Sequence, residues 1–217
     1  MQQMTIHYSF DFDYTLADSS TGAILCVNYA LEKLGYPKQL DNDIRKTISL
    51  SLKKSFDILV PEGIKKDAES FTQLFKVKAD EVMLDNIIFY GEVAETLSNL
   101  KAHGHYISIV STKYKYRIEA ALKRDNLLYL VDNIVGGECV EKVKPNPEGL
   151  NKAIHISDLS VEKTIYIGDS VSDGECASRA NVRFIAVTTG VTKHHLFEKW
   201  KPIKVIKCIS ELTENVA

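Results

Sequence analysis

Cysteine is scarce, with four residues in 217, at positions 26, 139, 176 and 208. None form a CxxC pair and none stand with histidines at zinc spacing, so neither a disulfide framework nor a structural zinc site is expected. They are read as reduced thiols, several of them buried. No apolar run approaches the roughly 20 residues that a membrane-spanning helix needs. The opening MQQMTIHYSFDFD lacks the basic and long apolar regions of a signal peptide. There is no basic excess either: 27 Lys and Arg face 29 Asp and Glu, a formal net charge of -2. That balance argues against nucleic acid as the main partner. A cytoplasmic protein with no membrane or nucleic-acid partner is the expectation. His103 and His105 flank a glycine, and His194 and His195 are adjacent; both pairs are read as a turn and a surface loop rather than metal ligands. No internal repeat or low-complexity segment is present.

What is there is ordinary in bulk, 45% hydrophobic and 26% charged, and patterned in detail. Short strands are predicted at 5–10, 107–110, 133–135, 163–167 and 184–187, with an edge strand at 205–206. Helical segments at 92–102, 116–124, 148–154 and 173–180 alternate with the later strands. That rhythm predicts βαβ units and a parallel sheet, an α/β fold. The stretch from about 20 to 86 breaks it. Helices are expected there at 21–34, 41–47, 52–59 and 64–83, with a turn at Pro61 and Gly63. A helical domain of residues 18–87 is thus expected inside a core of 1–17 and 88–217.

In open α/β sheets, ligands bind outside the carboxyl ends of the strands. The first predicted strand ends in Asp11-Phe12-Asp13-Tyr14-Thr15, and the second in Ser111-Thr112-Lys113. Lys144-Pro145 follows the third, and Gly168-Asp169-Ser170 the fourth, with Asp173 one turn on. Singly, each has a bland explanation: a turn, a strand end, a solvated loop, a helix cap. Jointly, they bring three or four carboxylates, a lysine and hydroxyls to one rim.

These four segments resemble the four motifs of the haloacid dehalogenase superfamily of phosphohydrolases. DFDYT resembles its DxDxT signature, IVS its strand-ending hydroxyl, the lysine of VKPNP its invariant lysine, and GDSVSD its GDxxxD. Their order and spacing match over nearly the whole chain. The resemblance implies a Rossmann-like core with a small α-helical cap of the C1 type inserted after the first strand. The subgroup it most resembles is that of phosphoglycolate phosphatase, with β-phosphoglucomutase a cousin. It further implies a Mg²⁺ cofactor, a small-molecule phosphate ester as partner, and a monomer or homodimer.

The chemistry agrees. Phosphate-monoester hydrolysis calls for accelerations up to about 10²¹, on the order of 28 kcal/mol, whereas general acid–base catalysis supplies only about 10²–10⁴. Covalent splitting, positioning and charge neutralisation must supply the rest. Asp11 is the candidate nucleophile, forming an aspartyl-phosphate. Asp13 is the candidate general acid–base, on the same face as Asp11 if the strand continues. Mg²⁺ suits oxygen donors; Asp11 and Asp169 are its expected ligands. The family pattern adds the Asp13 backbone carbonyl, and Asp173 binds it directly or through water. Lys144 supplies positive charge, Ser111 and Thr112 bind phosphate, and Thr15 orders the loop. In the insert, RKTISLSLKKS offers Arg45 and Lys53 as contacts to an anionic leaving group. Hydrolysis is favoured over a phosphomutase, which uses the same aspartates, and over a phospho-accepting regulatory domain. Tyr14 stands where the subgroup usually has glycine, and is expected at the mouth of the site.

Overall fold

The computed structural model of the protein describes residues 4–60 and 67–212. The chain divides into two compact units, Met1–Ala17 with Phe89–Ala217, and Asp18–Ile88. In chain order the elements are β1 (His7–Phe10), β2 (Ala17–Asp18), α1 (Ser20–Lys33), α2 (Asp41–Arg45), α3 (Leu52–Leu59), α4 (Asp67–Val82) and β3 (Ile88–Phe89). Then come α5 (Val93–Ala102), β4 (Tyr106–Val110), α6 (Lys115–Arg124), β5 (Asn133–Val135), α7 (Glu148–Ser157), β6 (Thr164–Gly168), α8 (Val171–Arg179), β7 (Arg183–Val187) and β8 (Lys204–Ile206). Among the described residues no helix is long and apolar enough to cross a membrane.

The first unit is built on a six-stranded sheet in the order β5-β4-β1-β6-β7-β8. Every pairing is parallel. Strands covered on both faces read as nearly continuous apolar runs, and YISIV, TIYIG and RFIAV are such runs. Ile107, Ile109, Ile165, Ile167 and Ile185 are fully buried. β1 lies between β4 and β6, with Phe10 opposite Ile109 on one side and Ile167 on the other. The chain adds strands first on one side of β1 and then on the other. The strand order therefore reverses beside β1, where open α/β sheets bind ligands.

Element ends differ from expectation for local reasons. β1 begins at His7 rather than residue 5, because the Ile6 amide donates to the His105 ring at 3.3 Å. α2 stops at Arg45 rather than residue 47, where the Thr47 hydroxyl donates back to the Ile44 carbonyl at 2.8 Å. α8 starts at Val171 rather than Asp173, because Ser170 caps it: the Asp173 amide donates to Ser170 Oγ, and the Ser170 amide donates back to Asp173. The two-residue strands β2 and β3, which pair with each other, went unpredicted. His103-Gly104-His105 is a helix end with Gly104 at φ +76°, whereas His194 opens a 3₁₀ segment rather than a plain loop. The predicted turn at Pro61 and Gly63, and residues 64–66 of the fourth insert helix, lie outside the described residues.

The second unit is helical. Phe56 and Phe71 are buried with ring centroids 5.2 Å apart, and Tyr36 meets Phe56 at 5.7 Å. Each fully buried phenylalanine stabilises the unit by about 1.5–3 kcal/mol.

Candidate active site

Three neighbouring strands deliver the site. Asp11 follows β1, and its amide still pairs with the Ile167 carbonyl of β6 at 2.8 Å. There the ladder ends. The Phe12 carbonyl accepts from the amides of Thr15, Leu16 and Ala17, which folds the chain into a turn. Tyr14 sits in that turn at φ +61°. The strand therefore does not continue, and the alternation expected to put Asp11 and Asp13 on one face does not apply. The two carboxylates take different partners: Asp11 Oδ1 meets Lys144 Nζ at 2.6 Å, and Asp13 Oδ1 meets Lys113 Nζ at 3.1 Å.

Lys144 is 6% exposed and lies between two acids, since its Nζ also donates to Asp173 Oδ1 at 2.7 Å. Burial disfavours its charge, but Asp11 and Asp173 outweigh burial and hold the ammonium well above the ordinary lysine range. Asp173 is held by four donors. Lys144 and the Tyr166 hydroxyl (3.0 Å) approach Oδ1; the Ser170 amide (3.0 Å) and hydroxyl (2.5 Å) approach Oδ2. Tyr166, wholly buried in β6, also lies 3.0 Å from the Val110 carbonyl, at the end of β4.

Asp11, Asp169 and Asp173 are all buried and offer oxygens within 4.8 Å of one another. Burial foremost, then Asp173 and Asp13 against the pull of Lys144, pushes Asp11 up to about 7. Burial, then Asp173 and Asp11, raise Asp169 well above the usual range. With Asp13, four carboxylates face two lysines, an excess of two negative charges when all four are ionised. A carboxylate has about four lone-pair positions; Asp173 meets four donors, one of them the Tyr166 hydroxyl that the Val110 carbonyl shares. Asp11 Oδ1 instead touches its lysine without accepting a well-directed hydrogen bond. Asp169 takes the Thr15 hydroxyl at a long 3.4 Å. Charge excess, oxygen-only donors and open lone pairs on Asp11 and Asp169 fit a hard divalent cation.

The remaining predicted residues divide. Thr15 and Ser111 are buried at this rim; Ser111 Oγ accepts the Lys113 amide at 3.3 Å, and Thr112 lies against Gly137. Arg45 and Lys53 belong to the helical unit. Within it the Arg45 guanidinium donates to Ser20 Oγ, and Lys53 pairs with Glu69 at 2.8 Å with both side chains exposed. Tyr14 is 4% exposed, as buried as Asp13 and Ser111 beside it.

Four residues carry more than their sequence signal suggested. Lys113 stood at a strand end with no role given. Tyr166 was one letter in an apolar strand, although a buried tyrosine hydroxyl needs a partner. Thr189 and Gly190 follow β7. The Thr189 hydroxyl donates to the Tyr14 carbonyl, and a Cβ on Gly190 would stand 1.9 Å from Asp169 Oδ2. A glycine just past a strand is the only sequence sign of so close an approach.

With this geometry established, comparison with known proteins gives four similarities. Residues 8–187 match the family described as haloacid dehalogenase-like hydrolase. A curated relative, the pyrophosphatase PpaX of Bacillus mycoides, is 29% identical over 203 residues, covering 94% of this chain and 93% of its own. A crystal structure of a haloacid dehalogenase-like hydrolase from Bacteroides fragilis superposes with a TM-score of 0.93 at 39% identity, covering 97% of this chain and all of the other. The fold is also that of a predicted phosphoglycolate phosphatase from Haemophilus somnus, with a TM-score of 0.84 at 23% identity over 97% of this chain and 96% of that one.

Proposed function

The chain belongs to the haloacid dehalogenase-like hydrolases, and on that premise we propose that it is a Mg²⁺-dependent phosphohydrolase of small phosphorylated metabolites. The observation that carries this reading is the buried Asp11, paired with Lys144 and grouped with Asp169 at the ends of adjacent strands.

Asp11 attacks phosphorus and becomes an aspartyl-phosphate; the bridging P–O bond breaks and its electron pair leaves with the departing oxygen. Asp13 gives that oxygen a proton, then takes one from the water that hydrolyses the acyl phosphate and restores Asp11. Lys144 keeps its charge throughout and offsets that of Asp11 beside the incoming phosphate. Ser111 and Thr112 donate to phosphate oxygens, and Thr15 holds Asp169. Asp11, Asp169 and the Asp13 carbonyl would hold Mg²⁺, which neutralises charge on the phosphoryl oxygens when bound. Asp173 fixes Lys144 and, grouped with Asp11 and Asp169, would reach the same ion directly or through water. Residues 18–87 are read as the family's cap, with Arg45 and Lys53 as substrate contacts.

Release of inorganic phosphate is the assay, over a panel of sugar phosphates, phosphoglycolate, p-nitrophenyl phosphate and, because the Bacillus relatives are named pyrophosphatases, inorganic pyrophosphate. Asp11→Asn removes turnover while leaving the melting temperature within a few degrees, and EDTA removes it reversibly. Full turnover by Asp11→Asn would exclude Asp11 as the nucleophile.

A further inference from the structure

Lys113 is the second cation of the site and the one for which the family motifs give no place. Its side chain is 8% exposed, as is that of Asp13, and its Nζ lies 3.1 Å from Asp13 Oδ1. Its ammonium is 5.9 Å from the Phe12 ring centroid, so its stem runs beside the catalytic loop. Gly136 and Gly137 pack against the backbone of this segment so closely that a Cβ on either would stand within 2.4 Å of it. The cation is therefore carried by a tightly seated turn. The two lysines pair with different aspartates: Lys144 contacts Asp11, and Lys113 contacts Asp13.

We propose that Lys113 is a specificity-determining residue that neutralises an anionic leaving group, making phosphoanhydrides such as inorganic pyrophosphate preferred over simple phosphate esters. This rests on the hydrolase mechanism above, with Asp13 next to the departing oxygen. The charges at that oxygen make the difference. An ester oxygen leaves with one negative charge, which the proton from Asp13 cancels, and nothing remains for a second cation. A phosphoanhydride releases orthophosphate. After the same proton it is still a dianion, HPO₄²⁻, and a buried lysine beside the acid meets that charge. The balance closes without a further reactant: P₂O₇⁴⁻ and water give two HPO₄²⁻. One phosphoryl group passes through Asp11, one leaves directly, and the water's two protons end one on each product.

The test is kcat/KM for inorganic pyrophosphate and for p-nitrophenyl phosphate in the wild type, Lys113→Met and Lys113→Arg. A charge-assisted contact is worth about 10- to 100-fold. Lys113→Met is therefore expected to lose up to about 100-fold on pyrophosphate and at most about 5-fold on the aryl ester, through loss of Asp13's partner. Lys113→Arg keeps the charge and is expected to retain the wild-type preference. Equal losses on both substrates, or a wild type that prefers the ester, overturn the assignment of Lys113 and leave the hydrolase reading standing. A wild type inert on the whole panel with Mg²⁺ present overturns both.

Discussion

Acid sensitivity is decided in the middle of the sheet. His7 in β1 is wholly buried, with Nε2 2.7 Å from Ser108 Oγ and Nδ1 3.4 Å from Thr164 Oγ1. Burial disfavours the imidazolium and lowers its pKa from 6.5 to about 4, against a small upward pull from Asp132. In the unfolded chain it titrates near 6.5. Above that pH both states are neutral and nothing is lost. As pH falls from 6.5 towards 4 the unfolded state binds a proton that the native state refuses, and stability drops. At about 1.36 kcal/mol per pK unit the loss is about 3 kcal/mol, a large fraction of a typical 5–15 kcal/mol. Asp11, raised from 3.8 to about 7, titrates over the same window with the opposite sign, because the native state there takes up the proton first. A single pH profile would mix the two. The perturbation is His7→Gln, which keeps a polar side chain and removes the titration. The assay is urea unfolding of both proteins at pH 7.5, 6.5, 5.5 and 4.5, with Mg²⁺ omitted. The wild type should lose between 2 and about 3 kcal/mol more than the variant across the window, whatever the variant's own offset at pH 7.5. Parallel profiles would refute the idea that His7 is buried neutral.

Two substitutions test the scaffold of the site. Tyr166→Phe keeps the ring and removes the hydroxyl lying 3.0 Å from both Asp173 and Val110; it should cost about 1.5–3 kcal/mol in urea unfolding and lower kcat while leaving KM unchanged. Gly190→Ala puts a methyl 1.9 Å from Asp169 Oδ2, so the carboxylate or the loop must move by roughly 1 Å. A shift of that size can cost about 10²-fold in turnover, and steady-state rates over a Mg²⁺ titration should show it with little change in melting temperature.

Much of the fold was legible because a parallel sheet buried on both faces writes itself as apolar runs, and its helices fill the intervals. The site was legible to the same depth, since Asp11, Ser111, Lys144 and Asp169 each follow a strand or the loop after it. What stayed hidden depends on distance through space. Asp173 reads equally well as an ordinary first-turn acid, and it is one: it closes the capping box of α8 with one oxygen while holding Lys144 with the other. Lys113 and Asp13 are a hundred residues apart, and only the adjacency of β1 and β4 pairs them. Thr189 and Tyr14 are further apart still, at 175 residues.

Tyr14 shows how one residue can be noticed in a sequence for a reason that the backbone supplies. The resemblance marks it as standing where a subgroup prefers glycine, and places it beside a candidate catalytic acid. The backbone accounts for the glycine differently. At φ +61° the position is left-handed, a region glycine enters without steric cost and which costs an L-residue roughly 1–2 kcal/mol. The glycine preference thus follows from the turn that carries Asp13 away from β1, and needs no reference to substrate. This chain meets the cost with contacts glycine would not make: the ring is buried at 4% exposure. Two further bonds fix the turn through the backbone, the Tyr14 amide donating to the Ala17 carbonyl at 2.7 Å and the Tyr14 carbonyl accepting from Thr189. Because Thr189 adjoins Gly190, the same loop that fixes the acid–base turn also lies against Asp169. The glycine preference at this position therefore carries no information about substrate, and the proposed discrimination rests on Lys113 beside Asp13.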